Sequence, residues 1–133
     1  MSLRLRCHVV FATLICVEFF AACHADTAST PDAPQSEVAA AIRDGHAPLL
    51  LDVRTPQEYA SGHVPGARNI SIDELPARES ELGAERDRPV VVYCEKGGRA
   101  ARGAKLLAAA GFTSVRLLAG HMSAWRDSGL PTE

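Results

Sequence analysis

Residues 89–102 read PVVVYCEKGGRAAR, and this stretch decides the fold class of the 133-residue chain. Residues 89–93 are a continuous apolar run, which is typical of a parallel strand covered on both faces. The glycines Gly97 and Gly98 follow in a short connection, and the alanine- and leucine-rich residues 98–110 have the composition of a helix. A buried strand, a tight loop and a helix in succession predict an α/β fold, with this loop at the carboxyl edge of a parallel sheet.

The rest of the chain repeats this alternation of strands and helices. A second apolar run, PLLLDV, precedes a short helix whose first turn has Thr55 as N-cap, Pro56 at N1 and Glu58 at N3. Together these patterns predict a small three-layer α/β domain with a parallel sheet flanked by helices. The predicted strands are 48–53, 67–72, 89–93 and 114–118; the predicted helices begin at Ser36 as N-cap, at Thr55, at Gly98 and at His121, and residues 73–83 form a helix or two turns.

The first 25 residues have the order of a secretory signal peptide. Arg4 and Arg6 give a basic start, residues 9–17 form an apolar run, and small residues lead to a cleavage site predicted after Ala25. The run is short for a membrane span. We therefore expect residues 1–25 to direct export.

Two alternatives for this leader stay open. Lipid attachment at Cys23 would anchor the protein, although Phe20 stands where a lipoprotein box usually has leucine. A buried N-terminal helix is the other alternative. The polar, proline-containing residues 26–35 are predicted to be a flexible tether, followed by a single domain over 36–132.

The composition excludes several classes of function. A formal net charge of −2 provides no basic surface for nucleic acid, and the length allows only one small domain. Three of the four cysteines fall in the leader, so Cys94 has no disulfide partner after cleavage. No Cys-x-x-Cys or cysteine–histidine cluster has zinc-like spacing, and neither a metal nor an organic cofactor is implied.

The residues around Cys94 favour an anion and a thiolate. The backbone amides of a loop rich in glycine (Gly97, Gly98) can point inward, and the following helix adds unpaired N–H groups and a positive dipole end. Lys96 and Arg99 add two cations. These features predict that Cys94 is a nucleophile and that the loop binds an anion such as thiosulfate or sulfate. The alternative is an inert cysteine that ends a buried strand.

Several spaced motifs resemble the rhodanese-type sulfurtransferases. The resemblance runs from about Ser36 to Pro131, and its order of motifs is specific. The matching residues are Asp52-Val53-Arg54, Glu58-Tyr59, Gly62-His63-Val64-Pro65-Gly66-Ala67, Asn69-Ile70, the Cys94–Arg99 loop, and Leu118, Gly120 and Trp125.

This resemblance implies a sheet of about five parallel strands and a persulfide mechanism. Cys94 would take sulfane sulfur from a donor such as thiosulfate and pass it to cyanide, a thiol or a protein acceptor. The amides of Glu95, Lys96, Gly97, Gly98 and Arg99 would hold the persulfide and the incoming anion, and the two cations would offset the anion's charge. The predicted leader and this family resemblance together suggest a bacterial periplasm as the destination of the exported protein.

Other motif residues are expected to support the site. Asp52, Arg54 and Glu58 are predicted to form a hydrogen-bonded brace under the loop, with direct substrate contact as the alternative. His63 is interpreted as a turn residue whose ring has its hydrogen-bond partner within the fold. Trp125 is interpreted as a residue that anchors its helix in the core.

Two departures from the family pattern stand out. The family often has Gly-Gly before the last helix, where this chain has Gly120-His121; we interpret His121 as a surface residue, with a place near the active-site edge as the alternative. No convincing first strand precedes Ser36, so that strand is either short, around residues 27–30, or missing.

Two rival functions follow from the same residues. Cysteine phosphatases and arsenate reductases also place a cysteine and an arginine at the ends of an anion loop. The rhodanese-related phosphatases have one more residue between them than the four found here. A persulfide carrier that serves a dedicated protein partner would use the same residues as the enzyme.

Overall fold

The computed structural model describes residues 32–133, in which a parallel sheet forms the centre of the domain. Its two central strands are buried along their whole length because helices cover both faces. The strand order is β2-β1-β3-β4, and every neighbouring pair is parallel. The strands are β1 (Leu49–Asp52), β2 (Arg68–Asn69), β3 (Val90–Tyr93) and β4 (Val115–Leu117).

Helices pack on both faces of this sheet, which confirms the predicted three-layer α/β architecture. Alternation along β1 puts Leu49 and Leu51 in a core shared with α3, α4 and the 3-10 helix, whereas Leu50 joins a second core with α1 and α5. The helices are α1 (Gln35–Arg43), α2 (Pro56–Ala60), α3 (Leu75–Arg78), a 3-10 helix (Glu79–Glu85), α4 (Gly98–Ala109) and α5 (His121–Asp127).

A single-residue bridge stands at the outer edge of β4. Ala33 is fully buried and pairs in parallel with Leu118. Its amide donates to the carbonyl of Leu117 at 2.6 Å, and its carbonyl accepts from the amide of Ala119 at 2.9 Å. The described domain therefore has four strands and one bridge where about five strands are expected.

The start of the domain differs from the prediction. Helix α1 begins at Gln35 after Pro34, and Ser36 lies inside the helix instead of capping it. Pro34 has a φ of −59° and ψ of 140°, so its fixed ring sets the turn into the helix, and its carbonyl accepts from the amide of Val38. Because Ala33 is buried, the last residues of the predicted tether belong to the folded domain. The predicted signal peptide, Cys23 and residues 26–31 lie outside the described residues.

The helix after β1 begins as its sequence predicts. Thr55 and Glu58 form a complete capping box, with Pro56 in the first turn. Within residues 32–133, no helix is long and apolar enough to cross a membrane.

Candidate active site

Cys94 lies directly after β3, at the carboxyl edge of the sheet. Its side chain is a free thiol and is only 2% exposed. Tyr93 at the end of β3 is in register with Asp52 at the end of β1, so the residues after both strands meet at one edge. The structure therefore brings the two predicted motif segments together, as the order of strands requires.

The loop after Cys94 directs a backbone amide at the sulfur. The N–H of Gly97 donates to Sγ of Cys94 at a distance of 3.0 Å between nitrogen and sulfur. Gly97 has a φ of +117°, a conformation that a residue with a side chain rarely adopts. Helix α4 begins at the next residue, Gly98, so its positive end also lies at the loop. The loop therefore places one N–H group and the start of a helix beside the sulfur.

Arg99, which closes the loop, is already paired with a carboxylate. Its guanidinium donates to both oxygens of Glu58, at 2.6 and 2.8 Å, and each side chain is 34% exposed. The hydrogen bonds from Arg99 and from Thr55 lower the pKa of Glu58 to about 2. The hydrogen bonds that Arg99 donates to Glu58 raise the pKa of Arg99, and Cys94 makes a smaller contribution in the same direction. Lys96 is exposed and has no ion pair within the part of the chain that the structure describes.

The predicted brace is divided into two pairs. Asp52 and Arg54 form a buried ion pair in which Nη2 of Arg54 lies 2.6 Å from Oδ2 of Asp52. Glu58 does not join this pair, since it binds Arg99 at the end of the loop, whereas Arg54 contacts Glu95 at its start. The prediction that all three residues form one brace is therefore wrong. The reason is that Glu58 belongs to α2, the helix that follows β1, whereas Asp52 and Arg54 lie at the end of the strand.

The buried pair reaches the loop through Glu95. Nη1 of Arg54 lies 3.6 Å from Oε2 of Glu95, and Arg126 on α5 also pairs with Glu95. Burial opposes the charge of Arg54, but the hydrogen bonds and the charge of Asp52 outweigh it and raise the pKa of Arg54. Burial, together with the Asp52 carboxylate, raises the pKa of the Tyr93 hydroxyl. Arg54 thus connects the sheet to the first residue after Cys94.

The beginning of α5 holds the other side of the loop. The amide of Met122 donates to the carbonyl of Cys94 at 3.0 Å, and the amide of Ser123 donates to the carbonyl of Glu95 at 3.3 Å. Trp125 is fully buried, and its indole nitrogen donates to the carbonyl of Pro131, which confirms its predicted role as a core anchor. A helix anchored in the core therefore fixes two carbonyls of the loop.

His121 lies at the active-site edge, and its interpretation as a surface residue is wrong. It is 7% exposed, and a Cβ built on Gly97 would lie 2.8 Å from its Nε2. Burial lowers the pKa of His121. The replacement of the family's second glycine was the available signal, but only the packing of α5 against the loop reveals the contact.

His63 has the role expected from its turn. Its Nδ1 lies 3.0 Å from the carbonyl oxygen of Tyr59, and the two rings stack with centroids 3.6 Å apart. The satisfied ring is therefore part of the turn that follows α2.

The fold and these contacts agree with what comparison with known proteins finds. A family model of the rhodanese-like domain matches residues 34–128. A protein named sulfurtransferase from Allochromatium vinosum is 40% identical over 83 residues, which cover 62% of this chain and 76% of that protein. A protein named thiosulfate sulfurtransferase from Stutzerimonas stutzeri is 33% identical over 92 residues, which cover 69% of this chain and 82% of that protein.

The solved structures agree with the sequence relatives. The crystal structure of a rhodanese-like domain from Anabaena superposes with a TM-score of 0.60 at 37% identity, covering 65% of this chain and 99% of that one. The relatives named sulfurtransferase support sulfur transfer as the general activity. The sheet topology, the loop after β3 and the family match lead to one conclusion: this chain belongs to the rhodanese-like family.

Proposed function

We propose that this protein moves sulfane sulfur from thiosulfate, or a similar small anionic donor, to a thiophilic acceptor through a persulfide on Cys94. The Cys94 thiolate attacks the outer sulfur of thiosulfate, and the S–S bond of the donor breaks as sulfite leaves with its electron pair. An acceptor such as cyanide or a thiol then attacks the outer sulfur of the persulfide. The bond to Sγ breaks and its electron pair returns to Cys94.

One observation supports this proposal most directly. The Gly97 amide lies 3.0 Å from Sγ of Cys94, where it can stabilise the thiolate that attacks and the thiolate that is regenerated. The positive end of α4 acts in the same direction. Only four residues separate Cys94 from Arg99, which favours a sulfur atom over the tetrahedral phosphoryl group of a phosphatase substrate.

Mass spectrometry of the intact protein tests the persulfide. Incubation of the purified full chain with thiosulfate should add one sulfur atom, and cyanide should remove it with formation of thiocyanate. The Cys94→Ser variant should show neither property. Retention of both by that variant would show that the mechanism is wrong, and turnover of an aryl phosphate without thiosulfate activity would favour the phosphatase class.

A persulfide carrier for a dedicated protein partner is the second candidate. The pairing of Arg99 with Glu58 favours it, because the Glu58 carboxylate neutralises the charge of Arg99 and occupies two of the N–H groups that could bind a small anion. Stable loading of Cys94 combined with slow turnover by cyanide and small thiols would support the carrier. Rapid turnover by cyanide would support the enzyme.

We also propose that the protein is exported by residues 1–25. Cleavage after Ala25 leaves Asp26 at the N-terminus, whereas the lipoprotein alternative leaves a modified Cys23. The mass of the protein purified from a bacterial host distinguishes the two forms. An uncleaved chain in the cytoplasm would contradict both.

A further inference from the structure

His121 occupies the space beside the residue whose amide contacts the catalytic sulfur. Its Nε2 would lie 2.8 Å from a Cβ on Gly97, closer than real Cβ contacts. Gly97 in turn donates its N–H to Sγ of Cys94 at 3.0 Å. Gly97 therefore lies between the imidazole of His121 and the sulfur of Cys94. The ring limits how far Gly97 can move towards α5.

The backbone around His121 is tied to the same loop. The next two amides, those of Met122 and Ser123, donate to the carbonyls of Cys94 and Glu95. The carbonyl of Leu118 accepts from the amide of His121 at 3.1 Å, and this contact fixes the start of α5. The imidazole therefore adds a side-chain contact to a segment that already holds the loop by its main chain.

Two unfavourable features accompany this histidine. It has a φ of +56°, and it is the only residue other than glycine with a positive φ in the part of the chain that the structure describes. Its buried Nδ1 also has no hydrogen-bond partner within residues 32–133. A glycine at position 121 would avoid both, so the ring contact with Gly97 is a structural gain that can offset them.

We propose that His121 is a positioning residue that keeps the Gly97 N–H directed at the sulfur of Cys94. The ring acts through van der Waals contact with Gly97 and takes no part in proton transfer. This inference rests on the proposed role of Cys94. Position 121 is often glycine in the family. In this chain, the geometry of the loop depends on the His121 side chain at the start of α5.

The rate of Cys94 alkylation by iodoacetamide at fixed neutral pH tests the proposal without any sulfur donor. His121→Gly and His121→Asn both tolerate a positive φ, so they remove the ring without straining the backbone. Loss of one hydrogen bond to a thiolate should slow alkylation about fivefold. The kcat/KM for thiosulfate should fall by a similar factor. An unchanged or faster alkylation rate in both variants would overturn the proposal.

A core substitution on the opposite face provides the matched control. Leu82 is fully buried on the 3-10 helix, in the core that excludes α5. Leu82→Val or Leu82→Ala, whichever matches the Tm of the histidine variants, should keep the wild-type alkylation rate. An equal loss of rate in that control would mean that general destabilisation explains the effect, and the proposal would fail.

A double-mutant cycle tests the contact itself. In the wild type, Gly97→Ala suffers both the positive φ and the contact with Nε2 of His121, whereas only the φ remains in the His121→Gly background. The two substitutions should therefore slow alkylation less than additively. Full additivity would show that His121 does not act through Gly97. If the wild type alkylates at Cys94 but does not turn over thiosulfate, the proposed function fails while this test remains valid.

Discussion

Arg99 and Glu58 lie 41 residues apart in the sequence and share two hydrogen bonds across the mouth of the active-site loop. Arg99 is the permanent cation that closes the loop, and Glu58 is the N3 residue of the capping box of α2. An incoming anion must therefore compete with a carboxylate of the protein for this guanidinium.

Glu58→Gln should improve the use of thiosulfate. Glutamine can keep the capping box, because its amide oxygen accepts from Thr55, while the charge that competes for Arg99 is removed. An exposed ion pair is worth up to about 1 kcal/mol, so we expect the KM for thiosulfate to fall about two- to fivefold. Glu81→Gln, which breaks an exposed ion pair with Arg78, is the matched control and should leave the KM unchanged. A higher KM in Glu58→Gln would show that the carboxylate assists binding.

Arg99→Ala should weaken thiosulfate use more than it disturbs folding. A charge-assisted hydrogen bond to the donor is lost, so kcat/KM should fall about tenfold or more. The Tm should change little, because about a third of each side chain of the ion pair is exposed. Arg102→Ala, farther along α4, removes a weaker and more exposed ion pair with Asp73 and serves as the control for loss of an arginine from this helix. It should retain activity. Parallel losses of activity and Tm in Arg99→Ala would indicate a structural role instead.

The Glu58–Arg99 pair should contribute to stability in a defined pH range. The pKa of Glu58 falls from an ordinary value of 4.5 to about 2 in the folded protein. Between these values the unfolded chain binds more protons at this residue, so the contribution is complete above about 4.5 and is lost as the pH falls towards about 2.

Urea unfolding of the wild type and Glu58→Gln measures this contribution. The difference in the free energy of unfolding should be at most about 1 kcal/mol at neutral pH and should shrink steadily below pH about 4.5. A difference that stays constant down to acid pH would contradict the assignment to this ion pair.

Arg54→Met should be strongly destabilising. It leaves the fully buried Asp52 carboxylate without its main partner, and breaking a buried pair in this way costs about 3–5 kcal/mol. Adding Asp52→Asn to the same chain removes the unpaired charge and should recover part of the loss. Urea unfolding at neutral pH gives both values. If Arg54→Met lowers the free energy of unfolding by less than about 1 kcal/mol, the Asp52–Arg54 pair does not stabilise this edge of the sheet.

The sequence predicts the scaffold because its signals are local. Two apolar runs specify the central strands, the Thr55 capping box specifies the start of α2, and the position of Cys94 after β3 follows from strand order. The details that depend on packing between distant segments are harder to predict. Glu58 could not be assigned to Arg99, because that choice depends on how α2 is placed beside the loop.

The two ends of the domain differ from the predictions for different reasons. Serine is a common N-cap residue, which led to the prediction at Ser36. The helix begins earlier, at Gln35, because the fixed φ of Pro34 sets the turn into it. His121 follows a glycine at the start of α5, a position that resembles a surface turn. It becomes buried because α5 docks its first residues on the active-site loop. Pro34 is thus a local signal that outweighs Ser36, whereas local propensity carries no information about the burial of His121.

The burial of Cys94 also determines which oxidants can reach it. Thiol–disulfide exchange requires direct approach of one sulfur to another, and only 2% of the Cys94 residue surface is exposed. Bulky disulfides are therefore disfavoured as reaction partners of the buried thiol. In a persulfide the reactive sulfur lies about 2 Å beyond Sγ, within reach of acceptors that the thiol itself does not meet. If Cys94 carries the proposed persulfide, burial would protect the resting thiol from mixed disulfides and would make reactivity towards the acceptor a property of the loaded form.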